Sequence, residues 1–171
     1  MKYISILFFF LIGFCHAQDV DVNKKLQELG IQLTELKSPI ANYVKAVQTG
    51  KLLFLSGHIP DEVVGKKTRG KVGSQLTLEE GKEAARITTI GLLSTLQYYA
   101  GSLNNVKRIV KVNGMVNADP SFTQHPTVMN GCSDLLVAVF GEAGRHARAA
   151  VGMASLPFDA AVEIEMIVEL K

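Results

Sequence analysis

The chain has 171 residues, 47% hydrophobic and 20% charged, which fits one folded globular domain and is too short for two ordinary ones. Its formal charge of +2 lacks the basic excess that a nucleic-acid surface requires. Two cysteines and four histidines fall at no metal-ligand spacing.

Met1-Lys2 supplies a positive start, Ile4 to Phe14 is an almost unbroken apolar run, and Cys15-His16-Ala17 ends it. This pattern predicts a signal peptide cleaved after Ala17, and so an exported protein, periplasmic or secreted. The run is too short for a permanent membrane anchor. The bulky Phe14 before Cys15 argues against lipoprotein processing, which wants a small residue there. Loss of Lys2 lowers Lys+Arg from 18 to 17 against 16 acidic residues, a net charge of +1. Loss of Cys15 leaves only Cys132, which cannot form an internal disulfide.

Residues 18–39 read as an N-terminal extension. Val22, Leu26 and Leu29 fall at helical spacing, and Leu33 to Pro39 is expected to be extended. Tyr43 to Val47, the turn Thr49-Gly50-Lys51 and the strand Leu52 to Leu55 predict a β-hairpin ended by Ser56-Gly57. Asp61 to Gln75 has no clear period and is expected to be an exposed loop. Thr77-Leu78-Glu79-Glu80 is a capping box that opens a helix running to about Ala100, with Gly101 as its stop. Ala85, Leu92, Leu96 and Tyr99 share one face of it, beside Thr88 and Thr89. A strand over Lys107 to Asn117 follows, then a turn at Asp119-Pro120-Ser121. Pro126 suits the start of a second helix, whose stripe is Val128, Cys132, Leu135, Leu136 and Val139, closed by Gly141. Cys132 on that stripe reads as a small buried apolar residue. Ala147 to Ala154 is a strand and Leu156 to Asp159 a turn, and Val162 to Glu169 alternates strictly as the last strand. The order β-β-α-β-α-β-β defines an α+β protein: a mostly antiparallel sheet with two helices on one face.

Two residues could carry chemistry at the end of the chain. Arg148 lies near the start of one strand and Glu163 in the next. As neighbours they would make a cross-strand ion pair worth ~0.2–1 kcal/mol. As a site, an Arg fork binds a carboxylate or phosphate, and a nearby carboxylate holds a water and moves its proton.

The wider pattern weighs toward the site. Tyr43, Leu55-Ser56-Gly57-His58-Ile59-Pro60, Ala147-Arg148-Ala149-Ala150-Val151, Leu156-Pro157 and Val162-Glu163-Ile164-Glu165 occur in that order. Together they resemble the RidA (YjgF) family of reactive-intermediate enamine/imine deaminases, over residues 40–171. The resemblance implies a chorismate-mutase-like α+β fold, assembled as a homotrimer with ligand clefts between subunits. It implies hydrolysis of short enamines or imines, such as 2-aminoacrylate, to the 2-keto acid and ammonia, with neither metal nor organic cofactor. By the same resemblance Arg148 grips the substrate carboxylate and Glu163 positions the attacking water. Tyr43 lines the cleft, the backbone at Ser56-Gly57 forms part of its wall, and Asn130 matches an Asn that lines it.

The chain departs from the family pattern at His146, where typical members have Pro or a small residue, and at Ala150, where many active deaminases carry Cys. His146 is either a proton-shuttling cleft residue or an exposed loop residue. His58 and His125 read as surface or turn positions, with His125 as a helix cap before Pro126. Arg145 and the run Lys66-Lys67-Thr68-Arg69 read as solvated loop. Glu165 points the same way as Glu163, and Met115, Met129, Met153 and Met166 fill core or interface.

Two functions follow. One is an enamine/imine deaminase acting on small carboxylate-bearing molecules. The alternative is a non-catalytic trimeric protein that binds such metabolites. Near-neutral charge speaks against nucleic acid as a partner.

Overall fold

A computed structural model describes residues 21–35 and 42–171. The expected signal peptide, and the extended stretch from residue 36 to Pro39, lie outside those residues. The elements are α1 (Val22–Glu28), β1 (Ala46–Thr49), β2 (Leu52–His58), α2 (Leu78–Ala100), β3 (Val106–Asn117), α3 (His125–Phe140), β4 (Ala147–Met153) and β5 (Val162–Leu170). Five strands form one sheet in the order β1-β2-β5-β3-β4.

The topology follows from the connections. β1 and β2 meet across a tight turn at Gly50, whose φ of 56° is left-handed, and pair antiparallel with Ala46 opposite Leu55. α2 carries the chain from β2 to β3, and α3 carries it from β3 to β4. A helical crossover returns the next strand in the same direction, so β3 and β4 pair parallel. β5 then fills the gap between β2 and β3, antiparallel to both.

Alternation sorts each strand into two faces. Val162, Ile164, Met166 and Val168 of β5 are buried under the helices, as are Leu53 and Leu55 of β2 and Val112 and Val116 of β3. α2 meets them with Ala84, Ala85, Leu92 and Leu96; α3 brings Val128, Cys132, Leu136 and Val139. Thr88 and Thr89 are fully buried because their hydroxyls donate to the carbonyls of Ala84 (2.9 Å) and Ala85 (2.8 Å). Burial pushes the Cys132 thiol up to about 11, so it behaves as an inert apolar group.

The capping box forms at the start of α2: the Glu80 amide donates to Thr77 Oγ1 at 3.2 Å, and the Thr77 amide to Glu80 Oε2 at 2.8 Å. Gly101 ends the helix in the left-handed region, at φ 73°. α1 is capped by Asp21 and buries Val22 and Leu26, while Leu29 is the exposed cap residue beyond its end.

Three expectations change. The first strand begins at Ala46, not Tyr43, because only from Ala46 onward does it pair with β2. The stretch from Asp61 to Gln75 is exposed at 61–67 and 73–75 but not between them. Thr68 and Val72 are buried, because backbone bonds tie this part to the end of β3 and the turn before β5: Val72 N to Asn117 O at 2.8 Å, Ala161 N to Thr68 O at 3.0 Å. Finally, β4 and β5 are not neighbours, since β3 lies between them.

The face of the sheet away from the helices is open. Val47, Phe54, Val151 and Met153 are exposed on it. A depression of about 480 Å³ on this face is lined by Phe54, Ser56, Lys111, Asn113, Glu165 and Ile167, among others.

The helix layer closes at Gly131 of α3, where a Cβ would sit 2.0 Å from the backbone oxygen of Lys82 in α2. Gly131→Ala forces the helices apart and should cost about 1–3 kcal/mol, read as a lower urea midpoint with an unchanged slope.

Candidate functional site

Glu163 stands at the start of β5, on the open face, opposite Met115 of β3. The sequence supplies its seat through a bulge in β2. Leu55 pairs with Met166 and His58 with Ile164, so three residue steps on β2 span two on β5. The extra residue lies at Ser56-Gly57. The Glu163 carboxylate lies over Gly57, where a Cβ would come within 2.0 Å of Oε1, so a larger residue there would displace the carboxylate. Glu163 meets no hydrogen-bond donor among the described residues. Partial burial, with a smaller contribution from the Glu165 charge, raises its pKa above the ordinary carboxylate value.

The same bulge fixes Tyr43. The Ser56 hydroxyl donates to the Val44 carbonyl at 2.7 Å, and the Ser56 amide to that of Lys45 at 3.0 Å. This holds the segment carrying the exposed Tyr43 beside the bulge. His58 closes the bulge from beneath. It is 8% exposed and so not the surface residue expected, because the extra residue turns its ring toward α2. Its Nδ1 lies 2.7 Å from the Ser56 carbonyl, and its Nε2 accepts from the Thr95 hydroxyl at 2.8 Å. Burial lowers its pKa, so the ring is neutral near pH 7.

Arg148 lies elsewhere. It is level with Val112 of β3 and so turns to the helix side of edge strand β4. Its Nη1 donates to Asn130 Oδ1 at 3.0 Å and to Ser133 Oγ at 2.9 Å, both on α3. Neutral oxygens orient the guanidinium without cancelling its charge, and Arg148 makes no ion pair among the described residues. His146 stands behind it, half-buried: Nδ1 lies 2.7 Å from the Gly144 carbonyl, and Nε2 lies 3.1 Å from Ser133 Oγ. Burial lowers the pKa of this ring, and the Arg148 charge adds to the effect.

Asn130 and Arg148 therefore meet, and Tyr43, Ser56, Gly57 and Glu163 form a second group. The two groups do not meet within one chain. β4 and β5 are two strand spacings apart, about 9.6 Å, and Arg148 and Glu163 point to opposite faces. The cross-strand ion pair, one of the two readings the sequence allowed, does not form. Ser133 escaped the sequence reading because a serine in mid-helix reads as solvated; its spacing of three from Asn130, on one helix face, was the available signal. His125 is not a cap: Gln124 is, and the ring packs edge-on to Phe122 (5.5 Å between centroids) and close to Gly152 of β4. Arg145 pairs with Glu142 at 2.9 Å on the surface.

The comparisons agree with this fold. Residues 23–170 match the family described as "YjgF/chorismate_mutase-like, putative endoribonuclease". The match takes in α1, which the sequence resemblance did not use. The chain is 49% identical over 150 residues to Protein TCP17 of Trypanosoma cruzi, covering 87% of this chain and 94% of that protein. The crystal structure of Atu1372 from Agrobacterium tumefaciens is 41% identical with a TM-score of 0.79, over 88% of this chain and 94% of that one. A structure from Shewanella oneidensis, described as an endoribonuclease by inference, is 31% identical with a TM-score of 0.82, over 87% and 99%. The chain belongs to the YjgF (RidA) family.

A carboxyl whose pKa the fold raises contributes stability below its unfolded pKa and loses it as pH rises through the folded value. Ionised Glu163 thus works against folding at neutral pH. Glu163→Gln should show a higher urea midpoint at about pH 7 and no difference at about pH 3, where both side chains are neutral.

Proposed function

We propose that the protein is an enamine/imine deaminase that hydrolyses small 2-imino or 2-enamino acids to 2-keto acids and ammonia, in clefts between the subunits of a homotrimer. The supporting observation is the pair of uncompensated charges. Arg148 is held by neutral oxygens with its cation free for an anion, and Glu163 is half-buried with no donor among the described residues. In one chain they face opposite ways, so a second copy has to bring one to the other. The exposed apolar residues of the open face favour such packing.

In this reading Arg148 takes the substrate carboxylate in its guanidinium fork. Water adds to the imine carbon while Glu163 accepts its proton, and the raised pKa suits that exchange. The carbinolamine then collapses: Glu163 returns the proton to nitrogen, the C–N bond breaks as the hydroxyl oxygen forms the C=O, the hydroxyl proton passes to the Glu163 carboxylate and on to solvent, and the keto acid and ammonia leave. An iminium is already electrophilic, so orientation and pre-set charge supply most of the effect. Tyr43 and the Ser56-Gly57 backbone would line the cleft, and Asn130 would steady Arg148. We infer export from the signal-peptide pattern over residues 1–17. Among the described residues no helix is long and apolar enough to cross a membrane.

Ala150, where many deaminases carry Cys, favours a second reading: a trimeric protein that binds small carboxylates without turning them over.

The chain beginning at Gln18 should release ammonia and pyruvate from 2-iminopropionate generated in situ, and Arg148→Ala should lower kcat/KM by about 10- to 100-fold. Mixing Arg148→Ala with inactive Glu163→Gln subunits should restore about a quarter of wild-type activity if each site draws on two copies. Binding of pyruvate without turnover would select the second reading.

A further inference from the structure

His146 and Ser133 form a short hydrogen-bonded chain that ends on Arg148. The Gly144 carbonyl can only accept, so His146 Nδ1 carries the proton and Nε2 of the neutral ring is an acceptor. The Ser133 hydroxyl therefore donates to Nε2 at 3.1 Å and turns its lone pairs toward Arg148 Nη1 at 2.9 Å. A serine–histidine contact whose histidine is oriented by a third group is built to fix or move a proton. None of this is needed to fold α3, whose apolar stripe faces the sheet without Ser133.

We propose that His146, acting through Ser133, orients the Arg148 guanidinium for a carboxylate ligand and adds a second, titratable positive charge to that site. The inference rests on the reading of Arg148 as a carboxylate grip. Both residues are positioning residues, since neither need touch the ligand.

The other charges around the ring are accounted for. Asp134 on α3 is exposed and lies 3.9 Å from Lys82 of α2. Glu142 in the turn before β4 pairs with Arg145 at 2.9 Å. Lys111 of β3 is level with Ala147 and points to the open face. Arg148 remains as the charge that bears on the ring. With the site empty, a proton on His146 places a second cation one hydroxyl away from Arg148 and is disfavoured. A bound carboxylate offsets that repulsion, so it raises the affinity of His146 for a proton. By reciprocity, protonation tightens carboxylate binding as pH falls through the titration of the ring. The serine oxygen can then accept from both Arg148 and His146, so the orientation of the guanidinium survives the change.

Pyruvate binding by calorimetry tests this, with its carboxylate ionised throughout. Ser133→Ala should weaken binding by about 3- to 10-fold and Ser133→Thr should restore it. Between about pH 7.5 and about pH 5.5, wild-type affinity should rise about 5-fold more than that of His146→Gln, since any contribution of Glu163 is common to both. Titration of the His146 ring by NMR should move upward in Arg148→Ala, and upward in wild type on addition of pyruvate. Unchanged affinity in Ser133→Ala with parallel pH curves for wild type and His146→Gln would overturn the inference and leave the carboxylate grip standing. No pyruvate uptake by the wild type would overturn the grip, and this inference with it.

Discussion

The pairing of β3 with both β4 and β5 sets the terms for everything the molecule can do. A helical crossover through α3 returns β4 parallel to β3, on the edge away from β5. β5 then has one vacant edge of β3 to occupy, and it takes it antiparallel. Arg148 and Glu163 are thereby carried to opposite sides of a buried strand. Because helices cover only one face, Arg148 finds partners on α3, while Glu163 stands on a face that the chain itself leaves open. The single chain so holds two groups of opposite charge and does not join them.

Each of the two groups is shaped by a small local irregularity. The extra residue in β2 brings the Gly57 backbone under Glu163 and turns His58 inward to Thr95. A regular strand would put a side chain where the carboxylate now lies. In the other group, α3 interrupts its apolar surface with Asn130 and Ser133 one turn apart, and these two oxygens orient a cation they do not neutralise. The cost falls on Glu163: partly desolvated and close to Glu165, its charged form is disfavoured in the fold. Residues poised against stability in this way are characteristic of sites kept for function.

The turn between β4 and β5 shows a related tension. Phe158 and Asp159 both sit at positive φ, 55° and 54°, which a bulky side chain adopts at a cost. Asn117, fully buried at the end of β3, holds the turn through its side-chain bond to Asp159 Oδ1 at 2.9 Å. The segment from Thr68 to Leu76 adds further bonds on the same side. Phe158 is left 77% exposed at the tip. The end of β3 is thus the anchor for both neighbouring loops as well as for the sheet.

Local chemistry made much of this legible in the sequence. The Thr77–Glu80 box and Gly101 bound α2 because they satisfy orphan backbone groups within a few residues. The strict alternation from Val162 to Glu169 marked β5 because a half-covered strand has period two. The Arg148 and Glu163 signatures stood out through their residue types and order. What the sequence alone could not supply was strand adjacency, which depends on how α3 crosses the sheet; it placed Arg148 beside Glu163, where the fold inserts β3. It likewise left His58 on the surface and Ser133 unnoticed, because a one-residue bulge and a contact between α3 and β4 have no local mark. The sequence by itself determined the elements, their buried faces and the chemical groups on offer, since these follow from near-neighbour sterics and hydropathy. The tertiary structure alone decided which groups face one another, since that is set by long-range pairing and by the helix layer covering one side of the sheet.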